Sequence, residues 1–218
     1  MTSSRRAFLA TGVTGAVALS AGCVDFVRGE GPLEFDAERV GPSDETLEET
    51  GFEELEIEEE TFEETVEVGV EREIRASLWI SSYSKEVDIR GQSEDATAFV
   101  AVSIPDMSVA GRSFNPIDDM DSEELLDEFM DEMESDQADI DDIDHEETFS
   151  VSILGEGRDV DLLRGQTEYQ DEQIDIDLVV SSFSHEDDYI VLVGTYPEMF
   201  QDEGDDVESL LESVEHPV

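Results

Sequence analysis

The chain has one cysteine, Cys23, among its 218 residues. An internal disulfide is thereby excluded, and so is a metal site built from several thiolates. Lysine is as scarce: Lys85 stands alone, and the other basic residues are arginines. No run of clustered Lys and Arg exists to contact phosphates, so nucleic acid is not an expected partner. Histidine occurs only at His145, His185 and His216, without His-x3-His spacing. A Gly-x-Ser-x-Gly turn, a phosphate loop and a dinucleotide glycine fingerprint are also missing. Nucleophilic catalysis needs a base beside its nucleophile. His145 lies in an acidic stretch, His185 at a strand end and His216 two residues from the C-terminus. The expectation is a non-enzymatic protein with no catalytic residues, no cofactor and no metal ligands.

What the chain has in abundance is acid. Its 61 Asp and Glu face 11 Lys and Arg, a net charge of -50. Self-repulsion of that size strains a compact fold in dilute buffer. Molar salt shortens the screening length to about 3 Å and relieves the strain. Abundant acid, scarce lysine and few aromatics therefore read as adaptation to very high salt. The acids alternate with Val, Ile, Leu and Phe, which argues against an acidic disordered chain. With so many carboxylates, a carboxylate pair carries no catalytic information.

The N-terminus carries the most specific pattern. Arg5 and Arg6 follow small polar residues, and Phe8-Leu9 comes just after. This resembles the twin-arginine export signal, whose receptor reads the Arg pair. An uncharged stretch, 7–21, follows. At about 15 residues it is short for a membrane span, which needs about 20, and it fits the core of a cleaved signal. It ends Leu19-Ser20-Ala21-Gly22-Cys23, which resembles a lipoprotein cleavage box, with Leu19 one position further from the cysteine than usual. Lipid on Cys23 would hold the protein on the outer face of the cell membrane. An uncleaved anchor is the alternative. The expected organisation is a signal peptide over 1–22, a tether over 23–31 and a single domain over 32–218.

Within that domain, Ser43 and Gly51 bracket a short helix as N-cap and stop. From Phe52 onward apolar residues recur at period two, the mark of half-buried strands. Leu78-Trp79-Ile80-Ser81-Ser82-Tyr83-Ser84-Lys85 returns as Leu178-Val179-Val180-Ser181-Ser182-Phe183-Ser184-His185. Each copy leads to an apolar strand ending in Pro, at Pro105 and Pro197, and then to an acidic amphipathic segment. This predicts two duplicated strand–strand–helix units over about 52–135 and 148–218. The first copy is longer by two insertions, 86–96 and a second containing Val109 to Pro116. Loops on a rigid scaffold are where function concentrates. Arg112, Ser113, Phe114, Asn115 and Pro116 are therefore the candidate partner or ligand loop. Ser122 to Glu134 has the period of a helix covering a core, with Leu125, Leu126, Phe129, Met130 and Met133 on one face. The acidic stretch 136–147 reads as a solvated loop. A calcium loop begun at Asp139 would need Gly and Glu where Asp144 and Ser150 stand. Trp79, Tyr83 and Phe183 are expected in cross-strand packing, with a stacking ligand as the alternative.

The twin-arginine start, the segment from Val109 to Ile117, Tyr196-Pro197 and Glu215-His216 together resemble a family of haloarchaeal lipoproteins named only as a domain of unknown function. The resemblance implies a halophilic archaeal source and a surface location. It implies no activity, cofactor or catalytic residue. The expected fold is α+β: one antiparallel sheet flanked by helices, built from the two repeated units. The expected function is binding or scaffolding outside the cell, with membrane contact through lipid on Cys23 and an extracellular protein or small ligand as partner. The alternative is a hydrolase or metal-dependent surface enzyme.

Overall fold

The period-two alternation folds into long strands. The computed structural model describes residues 32–67, 71–89, 92–109, 112–113, 140–169 and 172–218. Among them the elements run β1 (Leu33–Asp36), β2 (Gly41–Pro42), α1 (Asp44–Thr50), β3 (Glu53–Glu67), β4 (Glu71–Ile89), β5 (Gln92–Pro105), β6 (Ser108–Val109) and β7 (Arg112–Ser113). They continue as β8 (Ile140–Ile153), β9 (Glu156–Tyr169), β10 (Glu172–His185), β11 (Asp188–Pro197), α2 (Gln201–Glu212) and β12 (Val214–Glu215). Eight of the strands form one sheet in the order β1-β4-β5-β11-β10-β9-β8, with β3 also paired to β4.

The chain divides into two compact units. Among the described residues, one holds 32–34 with 63–67 and 71–75, and there Arg75 pairs with Glu63 and Glu34. The other comprises Phe35–Phe62 with Ala76–Val218.

Strand register puts the two Ser-rich segments into one lateral row. Ser81 faces Ala101, Ala101 faces Leu192, and Leu192 faces Ser181. Successive side chains on a strand point to opposite faces. Phe99, Ala101, Ile190 and Leu192 accordingly join one buried cluster, with Tyr83, Phe183 and Val179. Val100, Val102, Val191 and Val193 join the other, with Leu178, Val180 and Leu163. The central strands β5 and β11 are buried on both faces, which is why their sequences are nearly continuous apolar runs.

The first cluster is covered by α2 and by the segment before α1. Val207, Leu210 and Leu211 bury the apolar stripe of α2. The segment Ala37–Glu38 is held by side chains of that same face: Trp79 Nε1 donates to the Ala37 carbonyl at 3.1 Å and Ser103 Oγ to the Glu38 carbonyl at 2.6 Å. Helix α1 is set by its ends. Ser43 Oγ accepts from the Thr46 N–H, and Gly51, at φ 80, returns its N–H to the Leu47 carbonyl. Asp44 and Glu45 lie in its first turn, where the helix dipole favours anions.

Several expectations are overturned. The fold is mostly β, with two helices among the described residues, and is not an α+β sheet flanked by helices. The two Ser-rich segments lie on β4 and β10 of that one sheet; β10, β11 and α2 follow one another as strand, strand and helix, while the helix expected after the first pair lies outside the described residues. Period two over so many residues built sheet, and the pairing of β5 with β11 merged both hairpins into it. The first insertion is strand rather than loop: beyond a register shift at Lys85/Glu86, residues up to Ile89 pair with those from Gln92. The acidic stretch expected to be a loop is strand from Ile140 onward. Leu55, placed in a half-buried pattern by its spacing, is 62% exposed on the acid-rich β3. The segment Ser122–Glu134 lies outside the described residues.

Candidate functional site

The C-terminal residues are laced back across the start of this unit. β12 pairs with β2 through Val214–Pro42 and Glu215–Gly41. The Ser43 N–H donates to the Ser213 carbonyl and the Val218 N–H to the Arg39 carbonyl. Gly41 allows this close approach, because a Cβ there would overlap the Tyr83 hydroxyl. Arg39 then fastens the strap to the sheet. Its Nε donates to Ser81 Oγ and its Nη2 to the Tyr83 hydroxyl oxygen, both at 3.3 Å, and Nη2 also pairs with Glu54 at 3.1 Å.

His216 is carried inside this strap. Its side chain is 1% exposed, and Nε2 stands 2.9 Å from Oδ2 of Asp188, itself buried. The same Asp188 oxygen accepts the Glu38 N–H at 2.8 Å. A carboxylate accepts and does not donate, so the hydrogen of the His216 pair sits on Nε2. In the neutral ring the lone pair is then on Nδ1. That atom is buried and has no hydrogen-bond partner. Leaving a buried polar atom unpaired costs about 1–3 kcal/mol, so the arrangement is not explained by stability alone.

The β10–β11 hairpin brings a second histidine to the same place. His185 closes β10, opposite Asp188, and the turn between them runs through Glu186 and Asp187. Glu186 sits at φ 55, a left-handed backbone position that is sparsely occupied by side-chain-bearing residues. The His185 and His216 rings meet edge to face with centroids 5.6 Å apart. One donor atom each from His185, Glu186 and His216 lies within 4.8 Å of the others. Two imidazoles and a carboxylate at this separation are a donor set for a borderline divalent cation.

The residues singled out from sequence fall elsewhere. Arg112 and Ser113 form β7, a two-residue strand antiparallel to β6, with Arg112 facing Val109. Phe114, Asn115 and Pro116 lie outside the described residues, as do Arg5, Arg6, Phe8, Leu9 and Cys23. His145 is on β8, between two register irregularities, with Nε2 at 3.1 Å from Thr148 Oγ1 and 3.3 Å from Asp161 Oδ1. Asp142, Asp144 and Glu146 are exposed there. Trp79 gives its indole N–H to the backbone, Tyr83 is buried beside Phe99, and Phe183 carries the Arg158 guanidinium at 4.3 Å. Tyr83 and Phe183 are both in the first buried cluster.

Sequence reasoning missed the pairing of His185 with His216. The two are 31 positions apart, and only the lacing of the tail over β2 brings them together. The one local hint was that both lie among acids, at Ser184-His185-Glu186 and Glu215-His216, and acids are everywhere in this chain.

None of the curated proteins is similar to the chain in sequence. Residues 39–215, which hold every strand of the sheet but β1 and all of the site except His216, match the family described as Domain of unknown function (DUF6517), and the chain belongs to that family.

Proposed function

We propose that this protein is an exported, lipid-anchored surface protein of a halophilic archaeon that binds a ligand or partner without catalysing a reaction. The observation that carries the binding reading is the buried His216 ring. It is aimed by Asp188, has an unpartnered Nδ1 and stands beside His185. Burial without a partner is a cost the fold bears, and ligand binding is the use that offsets it. Export rests on the Arg5-Arg6 start, anchoring on Cys23, and the salty solvent on the net charge of -50.

The test is affinity capture of the native protein from membranes in molar salt, beside a His185→Ala variant. A stoichiometric ligand or partner retained by the native chain and lost by the variant supports the reading. Recovery of neither, or equal recovery by both, refutes it. Cys23→Ser tests the anchor separately. Release of this variant from membranes supports lipidation, and continued membrane binding refutes it.

A further inference from the structure

We propose that His185, Glu186 and His216 form a binding site for a first-row divalent transition metal of the zinc type, with Asp188 as the positioning carboxylate. This rests on the reading that the His216 end of the sheet is the binding site, and it names the ligand class.

The chemistry of each donor leads there. His216 Nε2 is engaged with Asp188, so Nδ1 is the nitrogen free to coordinate. A histidine ligand whose other ring nitrogen donates to a carboxylate is the usual outer-shell arrangement, since the carboxylate fixes the tautomer and raises ligand basicity. Asp188 is itself fixed by the Glu38 N–H. His185 supplies a second imidazole and Glu186 a carboxylate. A tetrahedral ion with bonds of about 2.0–2.1 Å holds its donors roughly 3.4 Å apart. Donors now within 4.8 Å must close by up to about 1.4 Å. Glu186 is exposed and His185 half-buried, so both have room to turn, while His216 is fixed. Three protein donors leave a fourth position for water or for a group from a partner.

The donor type also answers the solvent. Carboxylates are plentiful here and hold hard cations without selectivity, so concentrated alkali or magnesium ions compete at every one of them. Imidazole nitrogen prefers zinc, copper, nickel and cobalt. A two-histidine site selects such ions where an all-carboxylate site would not. A bound ion would also tie the tail to the β10–β11 turn, because His216 belongs to the strap and His185 to the hairpin.

The experiment uses the full chain freed of metal by a chelator and held in 3 M KCl with excess Mg2+. Co2+ serves as the spectroscopic probe and Zn2+ as competitor. The expected result is one Co2+ per chain, with the visible bands of a low-coordinate site, displaced by Zn2+. His185→Ala should weaken binding at least 10-fold without loss of the fold, because that residue is only partly buried and belongs to neither core cluster. Asp188→Asn should weaken it 10- to 100-fold while leaving the ligands in place. Zn2+ should raise the melting temperature of the native chain and not that of His185→Ala. Binding that Mg2+ abolishes, binding that His185→Ala leaves unchanged, or no Co2+ uptake would each overturn the proposal. If no metal binds while a partner is still captured through His185, the binding reading survives and the metal does not. If both assays are negative, both fall.

Discussion

Gly194 on β11 lies directly beneath Val207 of α2. A Cβ built on Gly194 would overlap the Val207 side chain and come within 2.8 Å of Val179 Cγ2. The contact is what lets α2 lie flat on the central strands. Interiors packed at crystal density do not absorb an added methyl without backbone or rotamer shifts. Gly194→Ala should therefore destabilise the protein by about 1–3 kcal/mol. A denaturant titration in molar salt measures it. A midpoint equal to that of the native chain would mean α2 is not seated as described.

The only lysine, Lys85, faces two carboxylates of α2. Lys85 Nζ lies 2.6 Å from Asp206 and 2.8 Å from Glu203, both on α2, and its side chain is 18% exposed. Replacing it by Gln leaves two carboxylates facing the sheet without a counter-charge. Fully buried pairs cost about 3–5 kcal/mol to break and exposed pairs at most about 1, so this half-shielded pair should cost about 2 kcal/mol. The Lys85→Gln loss should be read from thermal unfolding at pH 7.

The same group and Tyr196 set an alkaline limit. Burial pulls the Lys85 pKa down, but the hydrogen bonds to Asp206 and Glu203 outweigh it and the net direction is up. Tyr196 is raised by burial first and by the Asp177 charge second. A raised folded-state pKa contributes stability that is fully present below the unfolded value and is lost as pH rises through the folded one. With ordinary values of 10.5 for lysine and 10.0 for tyrosine, both contributions decline above about pH 10. The melting temperature should fall there, and less steeply in Tyr196→Phe. An identical pH profile for that variant would contradict the assignment.

Arg164 and Asp177 face each other across β9 and β10, with Nε 2.8 Å from Oδ1. The Asp177 side chain is 10% exposed, so Arg164→Met strands a shielded carboxylate. A loss of about 2 kcal/mol is expected, since the arginine is itself partly hydrated. Asp177→Asn in the same background should recover part of it by removing the unpaired charge. Additive losses in the double variant would show that the two do not interact.

Stability should rise with salt across the whole range from dilute buffer to several molar KCl. The motive is the self-repulsion of a chain with net charge -50. Unfolding midpoints at stepped KCl concentrations check this, and a flat or falling series would remove the halophilic reading.

Parts of the fold were legible residue by residue. Ser43 and Gly51 announced α1 because a cap and a left-handed stop are local chemistry, decided within four residues. The strands β4, β5, β10 and β11 were legible because alternation reports burial of one face. The fold class was not. Neither period two nor the two Ser-rich segments states which edge pairs with which, and the β5–β11 ladder is a contact between residues about 90 apart. Acidic stretches were misread for a related reason. The run 140–147 has only Ile140 and Ile143 among its acids, so its sequence favoured a loop, yet backbone pairing with β9 and the packing of both isoleucines against the second cluster keep it in the sheet.

By itself, the sequence determined the chain's electrostatics, its strand periodicity, the ends of α1 and the chemistry excluded by a single cysteine. These follow from composition and from neighbours along the chain. Only the tertiary structure decided the site. His185 and His216 have no relation in sequence, and nothing near His216 announces a buried ring. The strap across Gly41, the carboxylate of Asp188 and the β10–β11 turn place it. That convergence depends on long-range backbone pairing, which no local pattern encodes.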